Sequence, residues 1–153
     1  MEKSEPVCQI VRTLDVIGEK WALLIVRNAL RGQTRFSEFR DGLGAPSDVL
    51  TDRLAKLVAH GILEKSTYRE PGERARPEYR LTPRGEALRV VLAAMIQWGD
   101  EFNPAPQGRS AYLVDAKDDR RLRVAYLDDS GAEVDRGEVA IAPGPAATTT
   151  WVY

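Results

Sequence analysis

In Ser47-Asp-Val-Leu-Thr-Asp-Arg-Leu-Ala-Lys-Leu-Val-Ala-His60, three leucines recur at four- and three-residue steps, at positions 50, 54 and 57. That spacing puts them on one face of a helix. Asp48, Asp52, Ala55, Lys56 and Ala59 then fall on the opposite face, with Thr51 and Arg53 on its flanks. Ser47 or Asp48 can cap the start of this helix. Gly61 stops it, glycine being the usual residue just past a helix C-terminus. Ile62-Leu-Glu-Lys-Ser-Thr-Tyr68 follows at once and, rich in branched and aromatic side chains, reads as a strand. Glu70-Pro-Gly-Glu-Arg-Ala-Arg-Pro77 is a polar tip marked by proline and glycine, and Glu78-Tyr-Arg-Leu-Thr82 returns as a second strand.

Just upstream, Ser37-Glu-Phe-Arg-Asp-Gly-Leu43 has the length of a short helix that Ser37 can cap, and Gly44-Ala-Pro46 makes a turn. Two helices joined by a tight turn and followed by a hairpin form a winged helix-turn-helix. Such a module lays its second helix in the major groove, while the hairpin tip reaches the flanking backbone or minor groove. The fold class expected is therefore α+β. Residues 7–31 supply two further helical stretches. Val7, Ile10, Val11, Leu14 and Ile17 recur at helical steps, Gly18-Glu-Lys20 breaks the pattern, and Trp21–Leu30 is apolar almost all round, as suits the centre of a small core.

Downstream, Thr82-Pro83 offers a cap followed by proline at the first helical position, and one helix is predicted to run on to Phe102. Leu88, Val91, Leu92, Met95, Trp98 and Phe102 mark one face of it, while Val90, Ala93, Ala94 and Ile96 spill round the sides. So wide an apolar surface needs two covers, its own core and a second subunit. Residues 1–102 thus form a DNA-binding and dimerisation domain and 103–110 a linker. Residues 111–153 form a small β-rich extension with strands at 111–115, 121–127 and 133–141. Leu122, Val124 and Tyr126 alternate with Arg121, Arg123 and Ala125, which predicts a sheet with one buried face. The end, from Pro143 through Thr150, is expected to be loose.

Composition excludes much else. The chain has 153 residues, a net charge of −1, one cysteine (Cys8) and one histidine (His60). One cysteine makes neither an internal disulfide nor a Cys-rich zinc site, and no Ser-His-Asp set, phosphate-binding glycine loop or metal cluster is visible. No enzyme activity, cofactor or metal is expected. No stretch has the length of a membrane span and no leader is seen, so a cytoplasmic location is expected. The net charge gives no bulk attraction to nucleic acid, so contacts must come from local clustering. The wing supplies Arg69, Arg74, Arg76 and Arg80, diluted by Glu70, Glu73 and Glu78. Phosphate contacts rest on such side chains. The candidate contacts to double-stranded DNA are Arg35, Ser37, Ser47, Asp48, Thr51, Arg53, Lys56, Arg69, Arg74 and Arg76. A winged helix used purely for protein contact is the alternative.

Cys8-Gln-Ile-Val-Arg-Thr-Leu-Asp-Val-Ile-Gly-Glu-Lys-Trp21 closely resembles the opening of the HxlR family of bacterial regulators, relatives of the MarR group. Arg35-Phe-Ser-Glu-Phe39, Val49-Leu-Thr-Asp-Arg-Leu54, Gly61-Ile-Leu63 and Glu78-Tyr-Arg-Leu-Thr-Pro-Arg-Gly85 continue the match in the family's order over about residues 7–102. The resemblance implies a homodimer built through the terminal helices, with both wings on one side, binding a palindromic operator. It also implies a signal input, through a small-molecule effector or through oxidants or electrophiles at Cys8. Two residues depart from the family pattern. Gln9 stands where proline usually follows the cysteine, and acidic Asp48 where a neutral or basic residue is more usual. Two roles for Cys8 stay open. With Pro6 starting the helix, Cys8 would lie in the first turn, where free N–H groups favour the reactive thiolate. Its apolar neighbours favour instead a small packing residue.

Overall fold

The computed structural model describes residues 8–69, 71–72 and 74–147. Glu70 and Glu73 of the wing tip, Pro6 at the expected helix start and Thr150 at the end lie outside the described residues. The chain divides into two compact units, one of Cys8–Leu92 and one holding everything from Ala93 on. The division falls inside the last long helix, ten residues before the 102/103 boundary that the sequence pattern suggested.

In the first unit the elements run α1 (Gln9–Ile17), α2 (Lys20–Leu30), α3 (Phe36–Leu43), α4 (Ser47–Ala59), β1 (Leu63–Tyr68), β2 (Arg76–Leu81) and α5 (Pro83–Glu86). This is the winged helix-turn-helix order. Its core joins Ile25 and Val26 of α2, Phe39 of α3, Leu50, Leu54 and Leu57 of α4, Ile62 and Leu63 at the root of the wing, and Tyr79 of β2. Each fully buried side chain of this kind contributes about 1.5–3 kcal/mol. The three leucines of α4 are at most 1% exposed, so the helix can present only its other face to a partner.

Local chemistry fixes where the elements end. Gly61 adopts φ 66°. This left-handed turn lets the Ile62 N–H reach back to the Leu57 carbonyl at 2.9 Å and close α4. The helix starts differ from expectation. The N-cap of α3 is Arg35, and Ser37 sits in the first turn. The capping is done by Glu38, whose carboxylate accepts from the backbone N–H groups of Thr34 and Arg35 at 2.8 and 2.9 Å. At α4 the N-cap is Pro46, with Ser47 and Asp48 already helical. Asp48 still complements the helix dipole there.

The wing is an antiparallel ladder from Leu63↔Leu81 to Tyr68↔Arg76. A piece that the sequence did not suggest joins it: Arg35 bridges to Glu78, and the Tyr79 N–H bonds the Thr34 carbonyl at 2.8 Å. The entry to the helix-turn-helix is thereby tied to the wing. Beneath it, the Thr82 hydroxyl donates to the Gly61 carbonyl at 2.6 Å and accepts from Gly85 N–H at 3.1 Å. A Cβ on Gly85 would stand 2.2 Å from the Ile62 carbonyl oxygen, so only glycine permits this approach.

The single helix expected from Pro83 to Phe102 is two: α5 ends at Glu86, and α6 runs Arg89–Phe102. Between them the Leu88 N–H bonds the Gly85 carbonyl three residues back, a tighter turn that separates the two helices. In the second unit the three predicted strands shrink to β3 (Tyr126–Leu127) paired with β4 (Glu133–Val134), an isolated bridge Val114↔Arg121, and a 3-10 turn at Arg136–Glu138. The expected buried sheet face is absent among the described residues. Leu122 and Tyr126 are exposed, and Val124 is half-buried. Alternation held in the sequence, but nothing large enough packs against it. No helix among the described residues is long and apolar enough to cross a membrane.

Candidate nucleic-acid interface

The outward face of α4 is the one that helical spacing indicated. Ser47, Asp48, Thr51, Asp52, Ala55, Lys56 and Ala59 are all exposed. The charge on it is balanced locally. Lys56 lies 3.2 Å from Asp52 one turn earlier, and 3.9 Å from Glu19 at the start of α2. The Thr51 hydroxyl donates back to the Ser47 carbonyl at 2.7 Å, which leaves its oxygen free to accept.

Arg53 is placed apart from this face. Its side chain is 18% exposed and pairs with Glu19, with Nη1 also 2.9 Å from Asp52. The pair with Glu19 fastens α4 to the start of α2. Glu19 is thus a residue of the site that sequence reasoning missed. The signal available was an acid beside Gly18 at the break between two helices, which has no apolar period to mark it.

The other candidate cations surround the wing. The Arg35 guanidinium lies over the Tyr68 ring at 4.4 Å and the residue is half-buried, tying the tip end of β1 to the start of α3. Ser37 is exposed in the first turn of α3. Arg69 and Arg74 flank the tip and Arg76 opens β2, all three exposed. Arg80 is turned to Glu78 at 2.7 Å. The structure therefore brings α4, the start of α3 and the wing into one module with an exposed polar face. Glu38, whose two backbone hydrogen bonds hold its carboxyl below the usual range, stays an anion and locks the N-terminus of α3.

The residues expected to dimerise divide into two groups. Leu88 and Leu92 pack against the core of the first unit. Val91, Met95, Trp98 and Phe102 are 36–60% exposed and stand at helical steps along α6, with Trp98 and Phe102 rings 5.7 Å apart. A second exposed apolar face, not among the expected residues, is that of α1, with Ile10 64%, Val11 42% and Leu14 56% exposed. Cys8 is half-buried and is the N-cap of α1 rather than a residue of its first turn, and its thiol makes no capping hydrogen bond.

Comparison with known proteins agrees with this fold. The family described as HxlR-like helix-turn-helix matches residues 16–107. Rv3095 of Mycobacterium tuberculosis, named an HTH-type transcriptional regulator, is 36% identical over 138 residues, covering 88% of this chain and 84% of its own. The crystal structure of PA1607, described as a transcription-factor candidate, superposes with a TM-score of 0.80 at 33% identity. That match covers 92% of this chain and 97% of PA1607. The redox regulator HypR in its reduced form is similar with a TM-score of 0.55 at 33% identity, over 61% of this chain and 92% of its own.

Proposed function

The chain belongs to the HxlR-like helix-turn-helix family, whose similar proteins are transcriptional regulators, and from that premise we propose that it binds an inverted-repeat operator as a homodimer. The observation that carries this reading is the pair of exposed apolar faces. Ile10, Val11 and Leu14 on α1, and Val91, Met95, Trp98 and Phe102 on α6, are large side chains with no cover in one copy. Burying them against a second copy recovers about 25 cal/mol for each Å² removed from water. Two-fold symmetry then sets two α4 helices toward half-sites about 10 base pairs, or a multiple of that, apart. Ser47, Asp48, Thr51 and Lys56 face base edges, Arg35 and Ser37 stand near the backbone, and Arg69, Arg74 and Arg76 contact flanking phosphates. Arg53 acts through position, by holding α4 to Glu19. The acidic groups on α4 favour modest affinity and a site selected from many, since carboxylates near phosphate are unfavourable.

Sedimentation of Met95→Glu and Trp98→Glu, beside the parent chain, tests the reading. The parent should be a dimer at micromolar concentration, and the variants folded monomers that no longer shift operator DNA. A stable parent monomer that still binds DNA would refute it. Absence of any salt-dependent DNA affinity would favour a protein-contact module instead.

A second reading has Cys8 as a thiol that receives an oxidant or electrophile signal. It is favoured by the place of Cys8 at the helix start and by the similarity to the redox regulator HypR. Rapid alkylation that releases DNA, lost in Cys8→Ser, is the outcome it requires. Slow labelling with unchanged DNA binding would make Cys8 a packing residue.

A further inference from the structure

From Ala93 on, the chain lines an open cavity of about 510 Å³, partly exposed to solvent, that no part of the DNA-binding reading uses. That volume lies within the range of small-molecule sites. Its apolar walls are Ile96 of α6 with Leu113 and Leu122. Gln97 fixes the wall by bonding both backbone groups of Val124, donating to the carbonyl at 3.1 Å and accepting from the N–H at 2.8 Å. The two lining segments are held together as well, Leu122 N–H to the Leu113 carbonyl at 2.9 Å and Asp115 N–H to the Arg120 carbonyl at 2.9 Å.

The charges of the cavity are unequal in a way that points to a ligand. Arg109 lies 3.3 Å from Asp100, Arg123 is paired with Glu133 through both nitrogens, and Glu101 is taken by Arg136 at 2.8 Å. Of the acids just before Arg121 in sequence, Asp115 and Asp118 are taken by Arg120, and Asp119 makes no ion pair with Arg121. Arg121, which shares the lining with Asp100 and Glu101, makes no ion pair among the described residues. Its guanidinium lies 3.2 Å from the centre of the Tyr112 ring, a second lining residue. A guanidinium stacked on one ring keeps its other face and its edge donors for a further planar, anionic group.

We propose that this cavity binds a planar aromatic carboxylate, its carboxylate on Arg121, its ring system against the guanidinium plane and the apolar walls of Ile96, Leu113 and Leu122. A phosphate ester fits less well, because one guanidinium without an ion pair, in a lining that also holds Asp100 and Glu101, suits a monoanion. The site goes beyond the DNA-binding reading and does not depend on it, since binding is measured without DNA.

Isothermal titration of the full chain with 2-naphthoate, beside the neutral 2-naphthamide, is the test. Saturable binding of one naphthoate per chain is expected, with the amide at least about tenfold weaker for want of the charge-assisted hydrogen bond. Arg121→Gln should weaken naphthoate by about tenfold or more, and Tyr112→Leu should weaken it too, whereas Lys117→Gln, an exposed cation outside the lining, should not. Melting curves establish that each variant is folded. The acid–amide comparison on the parent chain needs no variant at all. Equal affinity for acid and amide, unchanged binding in folded Arg121→Gln, or no saturation up to about 5 mM would each overturn the proposal.

Discussion

The Cys8–Leu92 unit and the residues from Ala93 on are held together by different physics. Every buried hydrophobic side chain among the described residues lies between Ile17 and Tyr79. In the later unit Tyr112, Leu122, Tyr126, Leu127 and Ile141 are all more than half exposed. What order that unit has comes from short-range polar contacts. Asp128 accepts from Ser130 and Ala132, Asp135 accepts from Gly137, and arginines pair with nearby acids. The difference teaches where cooperativity comes from. Apolar burial couples residues far apart in sequence, so the first unit is expected to melt as one. Exposed ion pairs are worth about 0–1 kcal/mol each and couple little.

The largest expected effect that follows is in hydrogen exchange. Amides of Ile25, Val26, Leu54 and Leu57 should open only with global unfolding, giving protection of about 10³-fold or more, while Leu127 and Val134 exchange many orders of magnitude faster. Comparable protection in the two sets would remove the contrast. Next in size, Leu54→Ala should cost about 2–5 kcal/mol and Leu122→Ala under about 1 kcal/mol, read from denaturant midpoints. A large loss from Leu122→Ala would mean that the later unit is covered, by a second copy or otherwise, in solution.

Within the first unit, the contrast sharpens between side chains that position and side chains that contact. Arg74→Ala and Arg76→Ala should weaken binding to all DNA sequences and lower the salt slope by about one each. Arg53→Ala should instead lower the melting temperature and blur sequence preference with little change in slope, because its partner is Glu19. A shift in sequence preference from the wing variants with an unchanged slope would reverse the assignment. The smallest effect is that of Glu38. Backbone N–H groups stabilise its carboxylate and hold its titration below the ordinary carboxylate value. Its contribution is therefore present above that ordinary value and is lost as pH falls through the lowered one. Glu38→Gln should cost about 1 kcal/mol or less at neutral pH and nothing in acid. A loss independent of pH would show that shape, and not charge, does the capping.

Local pattern was enough for the helix-turn-helix and its wing. The period of Leu50, Leu54 and Leu57, the stop at Gly61 and the strands on either side of the tip are short-range facts, and helices and hairpins obey short-range rules. The outward face of α4 follows from the same period. Caps were less legible, because several neighbouring residues could each serve. Backbone geometry at Arg35 and Pro46 decided between them, and passed the capping of α3 to Glu38. The extension shows the limit from the other side. Its alternation of apolar and charged residues was read as a half-buried sheet, yet alternation makes a sheet only where something covers the apolar side. Which charge meets which could be seen only in three dimensions. Arg53 has the sequence position of a base reader, and its pairing with Glu19 across two helices turns it inward. Arg121, one of several arginines in the extension, stands over Tyr112 while its neighbours take the acids. Contacts between residues far apart in the chain depend on packing, and no local period records them.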